Sequence, residues 1–244
     1  MKPAPLLLED PHGEISVSCF LASYPHKNIV KTLGVYQDEV HTYLVNEYIH
    51  GVELYEAITL RKEPLSEIQA RHCMHSLISA ISHLHTHNIA HRDISMENIM
   101  LDGEGNIVLI DFGQAVSIHS DTGAKLKYRG KAGKPYYRAP EMYGNRDYFP
   151  APCDIFALGV VLFILIFGVP PWQAAEAADS RWEFVKTHGL SGLLRSWGKL
   201  DSTSPESVAF IEALLLSDPR KRPKTSDILS HAWLQGPRQA WRSN

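Results

Sequence analysis

Little in this sequence points to chemistry by abundance. Three cysteines, Cys19, Cys73 and Cys153, stand far apart with no Cys-x-x-Cys pair. That spacing offers neither a disulfide framework nor a zinc site, and it fits a reducing, cytoplasmic setting. Excess charge of one sign is also missing: 24 Lys and Arg against 27 Asp and Glu leave a net charge of -3. No nucleic-acid partner is expected from that balance. No apolar run reaches the roughly 20 residues that cross a bilayer. The longest, Ile155 to Val169, is interrupted by glycine and closed by Asp154 and by Pro170-Pro171, so a buried helix and no membrane partner are expected. The Leu6-Leu7-Leu8 patch is too brief for a secretory core. Internal repeats are absent, and so is any Gly-x-Gly-x-x-Gly string.

What remains is an ordinary globular composition, 44% apolar and 21% charged, on a chain long enough for one large or two small domains. In order, the periodicities predict a helix from Gly13 to before Pro25. Two strands follow, Ile29–Tyr36 and His41–Tyr48, around the Gln37-Asp38-Glu39 turn, then a short helix from Glu53 to Leu60. A long helix over Ser66–His85 carries Ser66 as its cap. After a 114–135 loop come the Asp154 helix, a mostly helical 174–200 stretch, two amphipathic helices over 204–216 and 226–233, and a short tail.

The chemistry is concentrated between the long helix and that loop. Ile89-Ala90-His91-Arg92-Asp93-Ile94-Ser95-Met96-Glu97-Asn98-Ile99-Met100 is followed, after the Gly103-Glu104-Gly105-Asn106 turn, by Ile107-Val108-Leu109-Ile110-Asp111-Phe112-Gly113. Asp93, Asn98 and Asp111 therefore sit at or beside the ends of a strand pair, where a proton acceptor and two oxygen ligands share one ledge. Each alone would be read as a turn residue; the order and spacing carry the signal. The string His-Arg-Asp-x-x-x-x-Asn, a hairpin and Asp-Phe-Gly resembles the catalytic core of the eukaryotic protein kinases. Ala139-Pro140-Glu141 and the Arg222 loop resemble the family's later landmarks.

The resemblance implies an α+β, bilobal fold with a truncated N-lobe over 1–48, a mainly helical C-lobe over 49–235 and a tail over 236–244. It implies ATP-dependent phosphorylation of serine or threonine on a protein substrate, assisted by Mg2+, in the style of the calcium/calmodulin-dependent kinases, and allows a regulatory protein partner. Asp93 would accept the substrate hydroxyl's hydrogen bond, and Asn98 and Asp111 would hold Mg2+. Glu47, Ile49, Glu53 and Met100 would surround the nucleotide, with Asn46 setting the depth of its pocket. Glu14 would pair with a lysine for which Lys2 is the candidate. Glu141 would pair with Arg222, and Asp154 would support the catalytic loop or cap its own helix. Arg92 implies a phosphate on the activation segment, with Ser117, Ser120, Thr122 and Tyr128 as candidate positions. Glu97 would favour a basic substrate residue, and His91 would pack on Phe112.

Three departures qualify the pattern. The phosphate-covering glycine loop would lie upstream of residue 1. The Lys2–Glu14 spacing is shorter than the family's. Ser95 stands where these kinases have lysine, and Lys134 stands where they have threonine. The expectation is an exchange, in which Lys134 supplies the cation and Ser95 the hydroxyl. The rival reading is a catalytically impaired kinase-like scaffold that works by binding proteins.

Overall fold

The computed structural model describes residues 11–61 and 63–241. Helix α1, Pro11–Ser23, leads into the hairpin β1, Thr32–Gln37, and β2, Thr42–Asn46. This pair is thinly covered: Leu33, Tyr36, Val40 and Tyr43 are exposed. Strand β3, Gly51–Glu53, runs into α2, Leu54–Thr59. The 20-residue α3, Glu67–Thr86, begins on a capping box, in which Ser66 accepts from the Gln69 amide and Gln69 reaches back to the Ser66 amide. Its buried stripe, from Ala70 through Met74, Leu77, Ile78 and Ile81 to Leu84, is spaced for one helix face.

The short β4, Ile89–Ala90, pairs with β7, Val116–Ser117. Between them, β5, Ile99–Asp102, and β6, Ile107–Leu109, form an antiparallel hairpin, and β5 also pairs with β3. The hairpin turn is closed by Asp102, whose Oδ1 accepts from the amides of Glu104 and Asn106. Gly105 there has φ +86°, and a β-carbon on it would come 2.3 Å from the Trp241 carbonyl. Only glycine fits that contact.

Helix α4 spans Pro150–Phe167, with prolines in its first turn, where a missing amide costs nothing. The sequence reading started it four residues later, at Asp154. Asp154 is therefore not a helix cap: Phe149 occupies that position and Asp154 lies within the helix, 1% exposed. The helix is long and apolar enough to cross a membrane, but 83% of it is buried inside the protein against α3 and α6. Beyond it lie α5, Ser180–Ser196, broken at Gly189 (φ +72°), then α6, Pro205–Leu214, α7, Thr225–Leu229, and α8, Ala232–Gln235. Residues 236–241 continue along the body. Arg71 Nη1 donates to the Pro237 carbonyl at 2.6 Å, and Trp241 is 2% exposed beneath the Arg61 guanidinium.

The histidines join α1 to α3. His26 accepts from the Asn28 amide through Nδ1 at 3.1 Å and meets Ser79 Oγ at 3.0 Å through Nε2, an arrangement that suits the neutral ring. Its ring lies 5.0 Å from that of His83, which in turn packs at a tilt 4.3 Å from the His87 ring. Burial first, then the charges of His83 and Lys27, lower the His26 pKa. Burial likewise lowers those of His72 and His75. Groups depressed in this way bind protons more readily when the chain unfolds. Their stabilising neutral state is present above the ordinary value of 6.5 and lost as pH falls through the lower folded values. The melting temperature is therefore expected to be lower at about pH 5.5 than at about pH 7.5, and His26→Gln is expected to narrow that difference. A pH-independent melting temperature over that window would contradict it.

Candidate active site

The backbone of the site is held in a conformation that the local sequence would not choose. Arg92 has φ +63°, in the left-handed region, which costs about 1–3 kcal/mol for a side-chain-bearing residue. Asp154 holds it there. Its Oδ1 accepts from the Arg92 amide at 2.8 Å, and its Oδ2 accepts from the His91 amide at 2.9 Å and meets His85 Nε2 at 2.8 Å. Such charge-assisted bonds in a dry site offset the strain. His91 is fully buried. Its Nδ1 accepts from the Asp93 amide at 3.2 Å, Nε2 faces the Ile110 carbonyl, and its ring packs 5.4 Å from that of Phe112.

On this support four side chains converge. The Lys134 ammonium lies 2.9 Å from Ser95 Oγ, 3.3 Å from Asp93 Oδ2 and 3.3 Å from Asn98 Oδ1, so each of its three protons has an oxygen. Ser95 is fully buried and Lys134 is one-third exposed. Asn98 Nδ2 donates to both the carbonyl and Oδ2 of Asp93 at 2.9 Å, which fixes the carboxylate's orientation. The other carboxylate oxygen, Asp93 Oδ1, is buried with no hydrogen-bond partner. An unsatisfied buried carboxylate oxygen is expensive unless something arrives to donate to it. Gly133 (φ +71°) passes over this atom: a β-carbon there would lie 2.6 Å from the Arg92 carbonyl and 3.2 Å from Asp93 Oδ1.

Asp111 also has a positive φ, +63°, and its Oδ1 accepts from the Gly113 amide at 3.0 Å. The Ile110 amide donates to the Asn98 carbonyl, which ties the backbones beside Asn98 and Asp111 together. One carboxylate and one amide oxygen form a donor set that fits a hard cation shared with phosphate oxygens. Among the described residues no cluster of three or more His, Cys, Asp or Glu side chains is poised to hold a metal by itself.

The nucleotide set is spread more widely. Glu53 and Met100 are direct partners across β3 and β5. Glu47 spends its amide and its carboxylate on the backbone of Lys31, both at 2.8 Å. Ile49 packs partly buried against the core, and Asn46 accepts from Thr32 Oγ1. A cavity of about 260 Å³ between α1 and the β1–β2 hairpin includes Glu47 but not Ile49, Glu53 or Met100. Glu14 lies in the first turn of α1, and Lys2 falls outside the described residues.

Two further pieces brace the site. Arg222, whose side chain is fully buried, donates to both oxygens of Glu141 at 2.6 and 2.8 Å and to the Pro152 and Leu216 carbonyls. Cys153 Sγ donates to the same carboxylate, and burial pushes that thiol's pKa well up. Arg92 does not face open solvent. Its Nε donates to the Gln114 carbonyl and its guanidinium lies 5.1 Å over the Tyr128 ring. Tyr128, read from sequence as a candidate phosphate position, is half-buried and donates its hydroxyl to the Ser117 carbonyl at 2.8 Å. Glu97 is part-buried with its Oε2 shielded from solvent, and burial first, then the Glu97 charge, push the Tyr137 hydroxyl pKa up. The contribution of His85 is not visible in the sequence, where it is one of several histidines on a helix and its partner is 69 residues away.

The family pattern of the protein kinase domain matches residues 12–234. Calcium/calmodulin-dependent protein kinase type II subunit delta from Oryctolagus cuniculus is 33% identical over 213 residues, which are 86% of this chain and 38% of that protein. The chain thus spans well under half the length of this relative. The His91–Asn98 loop, the Asp111 turn and the Glu141–Arg222 pair occur in one fold, along the whole length of the match, and the chain belongs to the protein kinase domain family.

Proposed function

We propose that the chain transfers the terminal phosphoryl group of ATP to serine or threonine hydroxyls of proteins, with Mg2+ as the metal. The observation that carries this reading is Asp93. Its Oδ2 is neutralised by Lys134 and oriented by Asn98, while its Oδ1 is buried and unpartnered. A substrate hydroxyl would satisfy that atom: Oδ1 would accept the hydroxyl hydrogen bond and take the proton as the oxygen attacks. Lys134 holds positive charge where negative charge accumulates, and Ser95 Oγ keeps the ammonium in place.

ATP supplies the transferable phosphoryl group, and Mg2+ screens its charge when bound. Asn98 and Asp111 would hold the metal. The Glu47 carbonyl, Ile49, Glu53 and Met100 would hold the nucleotide, with Lys2 and Glu14 as the candidate pair above it. The division at residue 48 between a partial N-lobe and a C-lobe belongs to this reading, as does a cytoplasmic location. A regulatory protein also belongs to it, because the relative is named as calcium/calmodulin-dependent.

The test is transfer of labelled phosphate from ATP to serine, threonine and tyrosine peptides, with and without a chelator. Metal-dependent labelling of serine or threonine is expected. Absence of labelling from the purified full chain would favour the partner-binding scaffold.

A further inference from the structure

The segment that delivers Lys134 is charged in a way the phosphoryl-transfer chemistry does not use. From Ala124 to Arg138 it has six cations, Lys125, Lys127, Arg129, Lys131, Lys134 and Arg138, and no Asp or Glu. With those six removed from the 24, the rest of the chain carries 18 Lys and Arg against all 27 acids. The segment is thus a basic island on an acidic protein.

Its geometry turns that composition into a ridge. The chain folds back on itself through the His119–Lys125 bridge and then pairs Tyr128 with Tyr148. In this extended run Leu126 and Tyr128 are part-buried while Lys125, Lys127 and Arg129 are exposed, the alternation of a strand lying on a surface. Three of the six cations are already engaged. Arg129 pairs with Asp147 at 2.8 Å, Arg138 donates to the Ala132 and Gly133 carbonyls, and Lys134 sits on Asp93. The other three have no carboxylate within ion-pair distance among the described residues. Lys125 and Lys127 lie 5.9 and 5.5 Å from the Phe149 ring, and Lys131 lies 4.8 Å from the Tyr143 ring. A ring holds an ammonium in place without consuming its hydrogen-bond donors.

We propose that this ridge, Lys125, Lys127 and Lys131, binds carboxylates of the substrate, so that the preferred substrates are acidic peptide segments around the acceptor hydroxyl. The proposal rests on the kinase reading and names its substrate class. The ridge runs straight into the site, because two residues after Lys131 the chain passes over Asp93 at Gly133. The chain bends at Gly130 (φ +93°), so Lys125 and Lys131 lie within roughly 20 Å of each other, the reach of about six extended residues. A short acidic peptide matches that span, whereas a long polyanion would also meet the acidic remainder of the protein. The acid that the sequence offers for a basic substrate residue, Glu97, is part-buried, with its Oε2 shielded from solvent.

The test uses the full chain and fluorescently labelled peptides of about 12 residues. Each carries one serine, flanked by Asp and Glu, by Ala, or by Lys and Arg. Fluorescence anisotropy reads binding without turnover. The acidic peptide is expected to bind about tenfold more tightly than the basic one at low salt, with the ratio shrinking as salt rises. The variant Lys125→Glu/Lys127→Glu/Lys131→Glu is expected to invert the ratio. Equal affinities, or a ratio unmoved in the variant, would overturn the proposal. So would a single-stranded oligonucleotide of equal charge that binds more tightly than the acidic peptide. The kinase reading is judged separately by phosphate transfer to the alanine-flanked peptide, so loss of one does not imitate loss of the other.

Discussion

Replacing Lys134 with alanine is expected to lower kcat by about 100- to 1000-fold, the range found when one preorganised donor to a developing charge is removed. Among the described residues the ammonium is the only cation that contacts Asp93, and it contacts Ser95 and Asn98 at the same time. Its removal therefore strips charge from Asp93, the proposed base, and from Asn98, a proposed metal ligand, together. A sharper form of the experiment exchanges the two residues. Lys134→Thr and Ser95→Lys are each expected to be strongly impaired, because one leaves the site with no ammonium and the other forces a second one into a buried serine's place. The double variant Ser95→Lys/Lys134→Thr restores one cation and one hydroxyl. It is expected to recover most of the lost rate, with a coupling between the two changes of the size seen for residues in direct contact. Steady-state kinetics of the four proteins, with Asp93→Ala as the floor, give the answer. Additive losses in the double variant would show that Lys134 and Ser95 do not act as a unit.

Arg222→Ala is expected to have the largest effect on stability. The guanidinium is fully buried and donates to Glu141 and to the Pro152 and Leu216 carbonyls, so its removal leaves a largely buried carboxylate with, among the described residues, only the Cys153 thiol as a side-chain donor. Breaking such a pair from one side costs about 3–5 kcal/mol. For a chain of this size that is a fall in melting temperature of roughly 6–20 °C. Because the lone charge causes most of the loss, Glu141→Gln/Arg222→Met should lose less than Arg222→Ala does. Thermal unfolding followed by circular dichroism measures both. A fall of only a degree or two for Arg222→Ala would mean that water reaches Glu141.

How much of this was legible beforehand depended on whether a feature is written in consecutive residues. The Ser66 cap, the α3 stripe, the β5–β6 hairpin around Gly105 and the Asp93, Asn98 and Asp111 ledge are local patterns, and the sequence states them openly. The start of α4 was misplaced because Asp154 looks like a cap, while the prolines ahead of it look like breakers. In the first turn of a helix they are not. Asp154 is buried to hold the amides of His91 and Arg92, a task set some 60 residues upstream that no local spacing reveals. The stretch from Gln114 to Pro135 reads as loop because its order comes from pairing with Tyr148 and from Arg92 on Tyr128, both distant in sequence. Trp241 reads as tail for the same reason, since its pocket is built by Arg61 and the turn at Gly105.

The contact between Lys134 and Ser95 also bears on how this site can change by mutation. One altered codon at position 95 puts two ammonium groups within a few ångströms, and one at position 134 leaves none. If each single change impairs the site as expected, the arrangement that the family resemblance implies would lie two simultaneous steps away. The 2.9 Å contact would then make the pair a ratchet, in which selection on activity holds each residue against reversal through the other.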